Sequence, residues 1–259
     1  SGRGRKIIFS SVKEFCLNKN IKIFQPNNLK DSLFLSKIQN IAPDFQIVVA
    51  FRMLPKEVWS ISKVFTFNLH ASLLPNYRGA APINWAIING EKKTGLTTFI
   101  IDDKIDTGFV LLKDEVKIAP LDTFFTLSNK LLNKAGPLIK KTIEFYFSEK
   151  LYPKKQFLKG NEKFAPKLTS ENIKIDWNES IDLIEKKIRG LSPFPGAWTF
   201  FNNNNNKSRM KIIKSSIIYI NHKNNLNKIL VKDGDLFIAL KEGYLKCDEV
   251  QLENKKKMS

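Results

Sequence analysis

The sequence predicts an α/β domain, layered around a mostly parallel sheet, followed by a small β-barrel domain. Three observations carry that expectation. Strand-like and helix-like segments alternate through the first half of the chain, the pattern of a sheet with helices on its faces. The run Phe45 to Phe51 is almost continuously apolar and rich in β-branched residues, as in a strand buried on both faces. After Pro193 and Pro195 the texture changes to short strands broken by Asn, Gly and Asp turns.

Residues 1–6 read as a Gly/Arg/Lys loop. Ser11 to Lys19 reads as a helix with Val12, Phe15 and Cys16 on one face, and Ile21 to Phe24 as a short strand closed by Gln25-Pro26. Asp31 is placed to cap a helix from Ser32 to Asn40. Leu54-Pro55 ends the Phe45 strand, and Val64 to Leu69 forms the next one. Pro82 to Asn89 is a helix stopped by Gly90. Gly95 to Asp102 and Phe109 to Ile118 form a strand pair. Leu121 to Ser148 has apolar residues at helical spacing, with Gly136-Pro137 as a candidate interruption. A basic connection follows over 150–177, then a helix from Ser180 to Arg189. The closing strands are Trp198 to Phe201, Met210 to Ile220, Lys228 to Val231, Leu236 to Leu240 and Tyr244 to Leu252, with Asn202 to Asn206 as a loop tip.

The chain has 259 residues, a hydrophobic share of 42% and 20 Phe, enough for a packed core and unlike a disordered composition. Its net charge of +18 favours polyanionic partners, while the joint richness in Lys, Asn, Ile and Phe also fits an A/T-biased coding sequence. Two cysteines, Cys16 and Cys247, stand far apart and outside any Cys-x-x-Cys pattern, so neither a disulfide framework nor a zinc site is expected. They suit a reducing cytoplasm. No apolar run approaches the ~20 residues of a membrane span, and the first residues lack the pattern of a signal peptide. No Gly-x-Gly-x-x-Gly follows a strand, which argues against a dinucleotide-binding sheet.

The chemistry is concentrated between Phe67 and Gly108. Asn68 and His70, two positions apart on a strand, point to the same side near its carboxyl end, where sheets of this class bind ligands. Asp106 follows another strand in a loop marked by Thr107-Gly108. An amide, an imidazole and a carboxylate suit acyl transfer, because together they can hold a developing oxyanion and move a proton. Taken singly, Asn68 also suits a turn cap, His70 a satisfied polar residue and Asp106 an ordinary turn.

The string N-L-H-A-S-L-L-P-N-Y-R-G-A-A-P-I-N-W-A from Asn68, the G-E-x-x-T-G from Gly90 and the D-x-x-x-D-T-G from Asp102 together resemble the folate-dependent formyltransferases. The resemblance implies that Asn68, His70 and Asp106 are the catalytic set. It implies a site for 10-formyltetrahydrofolate, with no metal. Ser72, Leu73, Leu74 and Pro75 would line that site chiefly through their backbone, Met53 and Leu54 would border the pterin pocket, and the loop Ile101 to Ile105, with Asp102 and Asp103, would close over it. It further implies a Rossmann-like formyltransferase domain over 1–149, a linker over 150–177, and an OB-like barrel domain over 178–259 that holds tRNA by charge.

Acceptors in this family include methionyl-tRNA, nucleotide-linked amino sugars and a glycinamide ribonucleotide. Three features resemble the members that act on methionyl-tRNA: the opening Gly2 to Lys6, the Phe24 to Pro26 segment, and the strings from Lys163 and Ile188. Arg3, Arg5 and Lys6 are then the expected contacts to the tRNA acceptor end. The expected reaction is formyl transfer onto the amine of initiator methionyl-tRNA by a cytoplasmic monomer. The alternatives are a nucleotide-linked amino sugar as acceptor, or a non-catalytic RNA-binding relative. The family's chains begin with a strand, a turn, a helix and a second strand that would precede Ser1, and continue beyond Ser259. The expectation is a chain lacking its amino-terminal βαβ part and its extreme carboxyl terminus.

Overall fold

In a computed structural model the chain is described over residues 9–50, 52–203 and 206–258. It divides into two compact units, Ser1–Gln46 with Phe51–Thr66, and Ile47–Ala50 with Phe67–Ser259.

Among its described residues the first unit holds three helices. Helix α1 (Ser11–Asn18) is capped by Ser10, and α2 (Ser32–Ile41) by Asp31, whose carboxylate accepts from the Phe34 N–H at 2.9 Å. Neither helix buries a residue. Helix α3 (Lys56–Trp59) is tied down by the Gln46 side chain, which donates to the Val58 carbonyl at 2.8 Å. The expected strand at Ile21 to Phe24 is not formed: among the described residues these join no ladder, and a strand exists only through its partner.

Strands β1 (Phe45–Val49) and β2 (Phe65–His70) cross the division, and the sheet they belong to runs β1-β2-β4-β5, with β4 at Lys93–Ile100 and β5 at Val110–Lys117. The expectation of a mostly parallel sheet is corrected here: β2 pairs antiparallel with β4, and β4 antiparallel with β5. The β4 to β5 connection is too short to carry a crossover helix, and a parallel pair needs one. The ladder shifts register between Thr98 and Phe99, and Phe99 lies opposite Asn68. Such bulges re-aim side chains beside sites.

Strand β3 (Arg78–Gly79) leads into α4 (Pro82–Ile88), which opens on Pro82, a residue pre-set for a first turn. Helix α5 (Phe124–Phe147) packs on β4 and β5 and runs through Gly136-Pro137 without a break. Its buried face of Leu127, Leu131, Leu138 and Thr142 outweighs the lost backbone donor, and Thr142 shares a 2.9 Å hydrogen bond with Thr98 of β4. The connection after α5 contributes β6 (Phe164–Ala165), which pairs parallel with β3.

Helix α6 (Ile181–Gly190) buries Ile181, Ile184 and Ile188 at helical spacing under the C-terminal sheet. That sheet comprises β7 (Ala197–Asn203), β8 (Asn206–Tyr219), β9 (Ile229–Lys232), β10 (Asp235–Leu240) and β11 (Gly243–Leu252) in the order β7-β8-β11-β10-β9, with β12 (Lys257–Met258) on β11. All its described pairings are antiparallel. The expected OB-like barrel is corrected: among the described residues β7 and β9 do not meet, so the sheet stays open and α6 covers one face. Of the Asn run expected as a loop tip, Asn202, Asn203 and Asn206 join the ladder, with Asn203 registered against Asn206, and Asn204 and Asn205 lie outside the described residues. Cys247 lies in this core at 7% exposure, and burial pushes its thiol up to about 12.

Helices α4 and α6 join the two layers. Asn84 donates to the Gly190 carbonyl at 2.8 Å, an approach so close that a Cβ at Gly190 would press on Ile88 and the Asn84 carbonyl.

Candidate active site

His70 closes β2 with its ring 6% exposed and edge-on to Phe99 at 6.4 Å. Its Nε2 lies 2.7 Å from the Tyr77 carbonyl. A carbonyl only accepts, so Nε2 carries a proton, and Nδ1 is the ring atom left for chemistry. Nδ1 faces the Asp106 carboxylate at 3.7 Å. That carboxylate also accepts from the Gly79 N–H at 2.8 Å.

The backbone here is strained. Tyr77 (φ 61°) and Asp106 (φ 56°) are both left-handed. For residues with a Cβ this costs on the order of 1–3 kcal/mol each and persists only where surroundings enforce it. The enforcement is visible. The Tyr77 phenol donates to Glu91 at 2.7 Å and accepts from Asn89 at 3.2 Å, and its amide donates to the Lys163 carbonyl at 2.5 Å. Burial, then the Glu91 bond, pushes the Tyr77 phenol above its ordinary range, so it remains a donor. Glu91 is pulled the other way: burial alone would raise it, but Lys163 at 2.7 Å and Tyr77 hold it below the usual carboxylate value. Gly79 (φ 123°) has no room for a side chain, because a Cβ would collide with the Ala165 carbonyl.

Asn68 stands two residues before His70, on the same side of β2. Among the described residues its Oδ1 is buried without a hydrogen-bond partner. A buried, unpaired amide oxygen costs about 1–3 kcal/mol, and a side-chain amide can turn either its oxygen or its nitrogen to the same spot.

The Ser72 to Pro75 turn is fastened from below. Ser72 is wholly buried and donates to the Asn76 carbonyl at 2.6 Å. Thr97 donates to the Ser72 carbonyl at 2.6 Å and accepts from the Leu74 amide at 3.2 Å. Lys113 donates to the Leu74 carbonyl, and burial followed by the nearby charge of Lys154 lowers its pKa. Leu74 packs with Phe99 and Val110 in a small core, and the Leu74-Pro75 bond is cis. Leu74 therefore has its side chain buried and both backbone polar groups engaged. Leu73 abuts Gly95, where an added Cβ would meet its side chain at 2.5 Å.

In the loop after β4, Asp102 accepts from the Lys104 amide at 3.0 Å and from Thr107 at 2.7 Å, so it braces the loop. Asp103 and Ile105 are exposed. Met53 and Leu54 belong to the first unit, where Met53 is 69% exposed. Arg3, Arg5 and Lys6 lie outside the described residues. Among the described residues no group of three or more His, Cys, Asp or Glu could hold a metal, and no helix is long and apolar enough to cross a membrane.

Sequence reasoning missed Tyr77, Gly79, Thr97, Lys113 and Gln156. The first two stood in plain view inside the Asn-Tyr-Arg-Gly string. Gln156, in a connection that carries no pattern, gave no signal.

A buried histidine at a strand end, facing a half-buried carboxylate and two residues from an amide with an unpaired oxygen, suits acyl transfer. Comparison with known proteins gives the class. Residues 1–143 match the formyl transferase family, and residues 167–259 match the formyl transferase C-terminal domain. The methionyl-tRNA formyltransferase of Flavobacterium johnsoniae is 46% identical over 258 residues, covering 100% of this chain and 82% of the relative. That of Bacteroides thetaiotaomicron is 41% identical over 264 residues, with the same coverages of 100% and 82%. The chain belongs to the methionyl-tRNA formyltransferase family. Among solved structures, WlaRD, a sugar 3N-formyl transferase crystallised with dTDP and 5-N-formyl-THF, shares the fold with a TM-score of 0.64. It is 24% identical and covers 95% of this chain and 82% of its own.

Proposed function

We propose that the protein transfers the formyl group of 10-formyltetrahydrofolate to the amino group of initiator methionyl-tRNA, at the end of β2. The observation that carries the chemistry is the His70 to Asp106 approach at 3.7 Å beside the unpartnered Asn68 Oδ1. The acceptor rests on the relatives' identity over the whole chain. The folate supplies an activated formyl carbon.

This chain's residues then have distinct tasks. The methionyl amine must lose a proton as its nitrogen bonds to the formyl carbon. His70 Nδ1 takes that proton, because Nε2 is already committed to the Tyr77 carbonyl. Asp106 faces the charge that Nδ1 acquires. The Asn68 amide, turned nitrogen-first, donates to the formyl oxygen as negative charge develops there. His70 returns the proton to the departing folate nitrogen as its bond to the formyl carbon breaks. The Ser72 to Pro75 turn is the backbone platform for the folate, with Leu73 and Pro75 its half-buried members, and Met53, Leu54, Asp102 and Asp103 are assigned to the pterin side.

The catalytic domain spans 1–149, the linker 150–177 and the tRNA-binding domain 178–259. Arg3, Arg5 and Lys6 contact the acceptor end, and the +18 charge supplies the general affinity. We place the enzyme in the cytoplasm as a monomer.

The test is formyl transfer to charged initiator tRNA by Asn68→Ala, His70→Ala and Asp106→Asn. Each is expected to lose roughly 100- to 10,000-fold in kcat. A variant that turns over like the parent removes its residue from the catalytic set. Transfer to an amino-sugar nucleotide, but not to tRNA, would replace the acceptor and leave the centre standing.

A further inference from the structure

We infer that Gln156, in the connection between the two layers, is a positioning residue of the catalytic centre: it clamps the loop that carries Asp106. The inference rests on the reading of Asp106 as catalytic.

Asp106 needs an external brace. Its φ of 56° places it outside any regular element, so no ladder or helix fixes the direction of its carboxylate. Rotating the peptide after Asp106 would swing that carboxylate away from His70 Nδ1. Gln156 opposes the rotation from outside the loop. Its Nε2 donates to the Asp106 carbonyl at 3.0 Å and to the Gly108 carbonyl at 2.8 Å. Its Oε1 accepts from Arg78 Nε at 3.2 Å and Nη2 at 2.8 Å. Both amide protons and the amide oxygen are thus used, on three partners 48 to 78 residues distant in sequence.

The partners are well chosen for the task. Arg78 immediately precedes Gly79, whose amide holds the Asp106 carboxylate, so one side chain fixes both ends of the Asp106 to Gly79 bond. Gly108 sits where a Cβ would collide with the Ile100 carbonyl, so the loop's exit is fixed as well. Gln156 is itself held. Two residues earlier, Lys154 pairs with Val110 by two backbone hydrogen bonds of 2.8 Å. Nine residues later, Ala165 pairs with Gly79 in the short β3-β6 ladder. No carboxylate substitutes for this amide, because two carbonyls need a donor.

The experiment compares Gln156→Met, which keeps length and loses every hydrogen bond, with Gln156→Glu, which keeps the Arg78 partner and loses the donors. Both are made in the parent and in Asp106→Asn. Formyl transfer to methionyl-tRNA is measured under single-turnover conditions, with thermal midpoints alongside. In the parent background both variants are expected to lower kcat about 10- to 100-fold, the scale of small misplacements of reacting groups. KM should stay within about threefold and the midpoint nearly unmoved. In the Asp106→Asn background neither should lower kcat further.

An equal fall in both backgrounds, or a fall matched by raised KM and a lower midpoint, overturns the clamp in favour of a general structural role. Full activity of both variants beside a crippled Asp106→Asn overturns the clamp and spares the catalytic reading. An Asp106→Asn enzyme as fast as the parent removes Asp106 from the catalytic set, and the positioning role falls with it.

Discussion

Beneath β10 and β11 the interior is Ile181, Ile184, Ile188, Leu240 and Leu245, almost without polar groups. Around β2 and β4 the buried residues include Thr66, His70, Ser72, Thr94, Thr97 and Thr98, with Thr142 of α5 against them. The C-terminal layer is held by area removed from water, a force without direction. The layer that carries the proposed centre spends part of its interior on hydroxyls, and those of Thr66, Ser72, Thr97, Thr98 and Thr142 each bind a particular backbone atom. Apolar burial decides whether this chain folds, and buried hydroxyls decide where the turn after His70 lies.

That difference can be broken from either side. The largest expected effect is on stability, from Ile184→Ala in the apolar layer. It should cost about 2–5 kcal/mol in denaturant unfolding and leave kcat of the folded enzyme within about twofold. An unfolding midpoint that stays put would show that this interior is not what holds the layer.

Thr97→Val tests the other layer. It preserves shape but strips the hydroxyl that serves both the Ser72 carbonyl and the Leu74 amide. A stability loss of about 1–3 kcal/mol is expected, and with it a fall in turnover of up to about 100-fold, because the folate platform shifts. Loss of stability with unchanged turnover would mean that the turn tolerates displacement.

The smallest effect sharpens the comparison through pH. Asp122, with its side chain 6% exposed, accepts from the Ala119 amide at 2.7 Å and pairs with Lys130 at 2.5 Å. Burial alone would raise its pKa, but Lys130, the Ala119 amide and Thr126 together bring it below the usual value. A folded pKa depressed below the unfolded ~3.9 means the stabilisation is complete above ~3.9 and fades as pH falls through the folded value. Asp122→Asn should therefore cost about 1–2 kcal/mol at neutral pH and converge with the parent in acid. Parallel curves at all pH values would show that the charge contributes nothing.

Much of the proposed centre was legible in the chain. Asn68 and His70 share a strand face by alternation, and Asp106 precedes a Thr-Gly turn, so local rules place all three near one sheet end. The helix at Ser180 was legible because Ile181, Ile184 and Ile188 keep helical spacing. What was not legible depends on partners. The Ile21 to Phe24 segment has strand composition but, among the described residues, no neighbour to pair with, and the β4-β5 hairpin reverses a sheet that alternation suggested was parallel. A row of short strands looks the same in sequence whether its edges meet or not, so closure of the C-terminal sheet could not be read. Gln156 acts on atoms 48 and 50 residues away, and those are backbone carbonyls, which leave no mark in a sequence.

Cys247 turns the apolar layer into its own reporter. With the thiol inside and pushed up to about 12, almost no thiolate exists at neutral pH while β11 is paired with its neighbours. Cys16 is half-buried in the first unit and open to reagents. A thiol-specific dye should thus take one equivalent quickly and a second only when β11 parts from its neighbours. The slow phase would time the opening of the C-terminal sheet in the native protein, without a tag, a denaturant or a substitution.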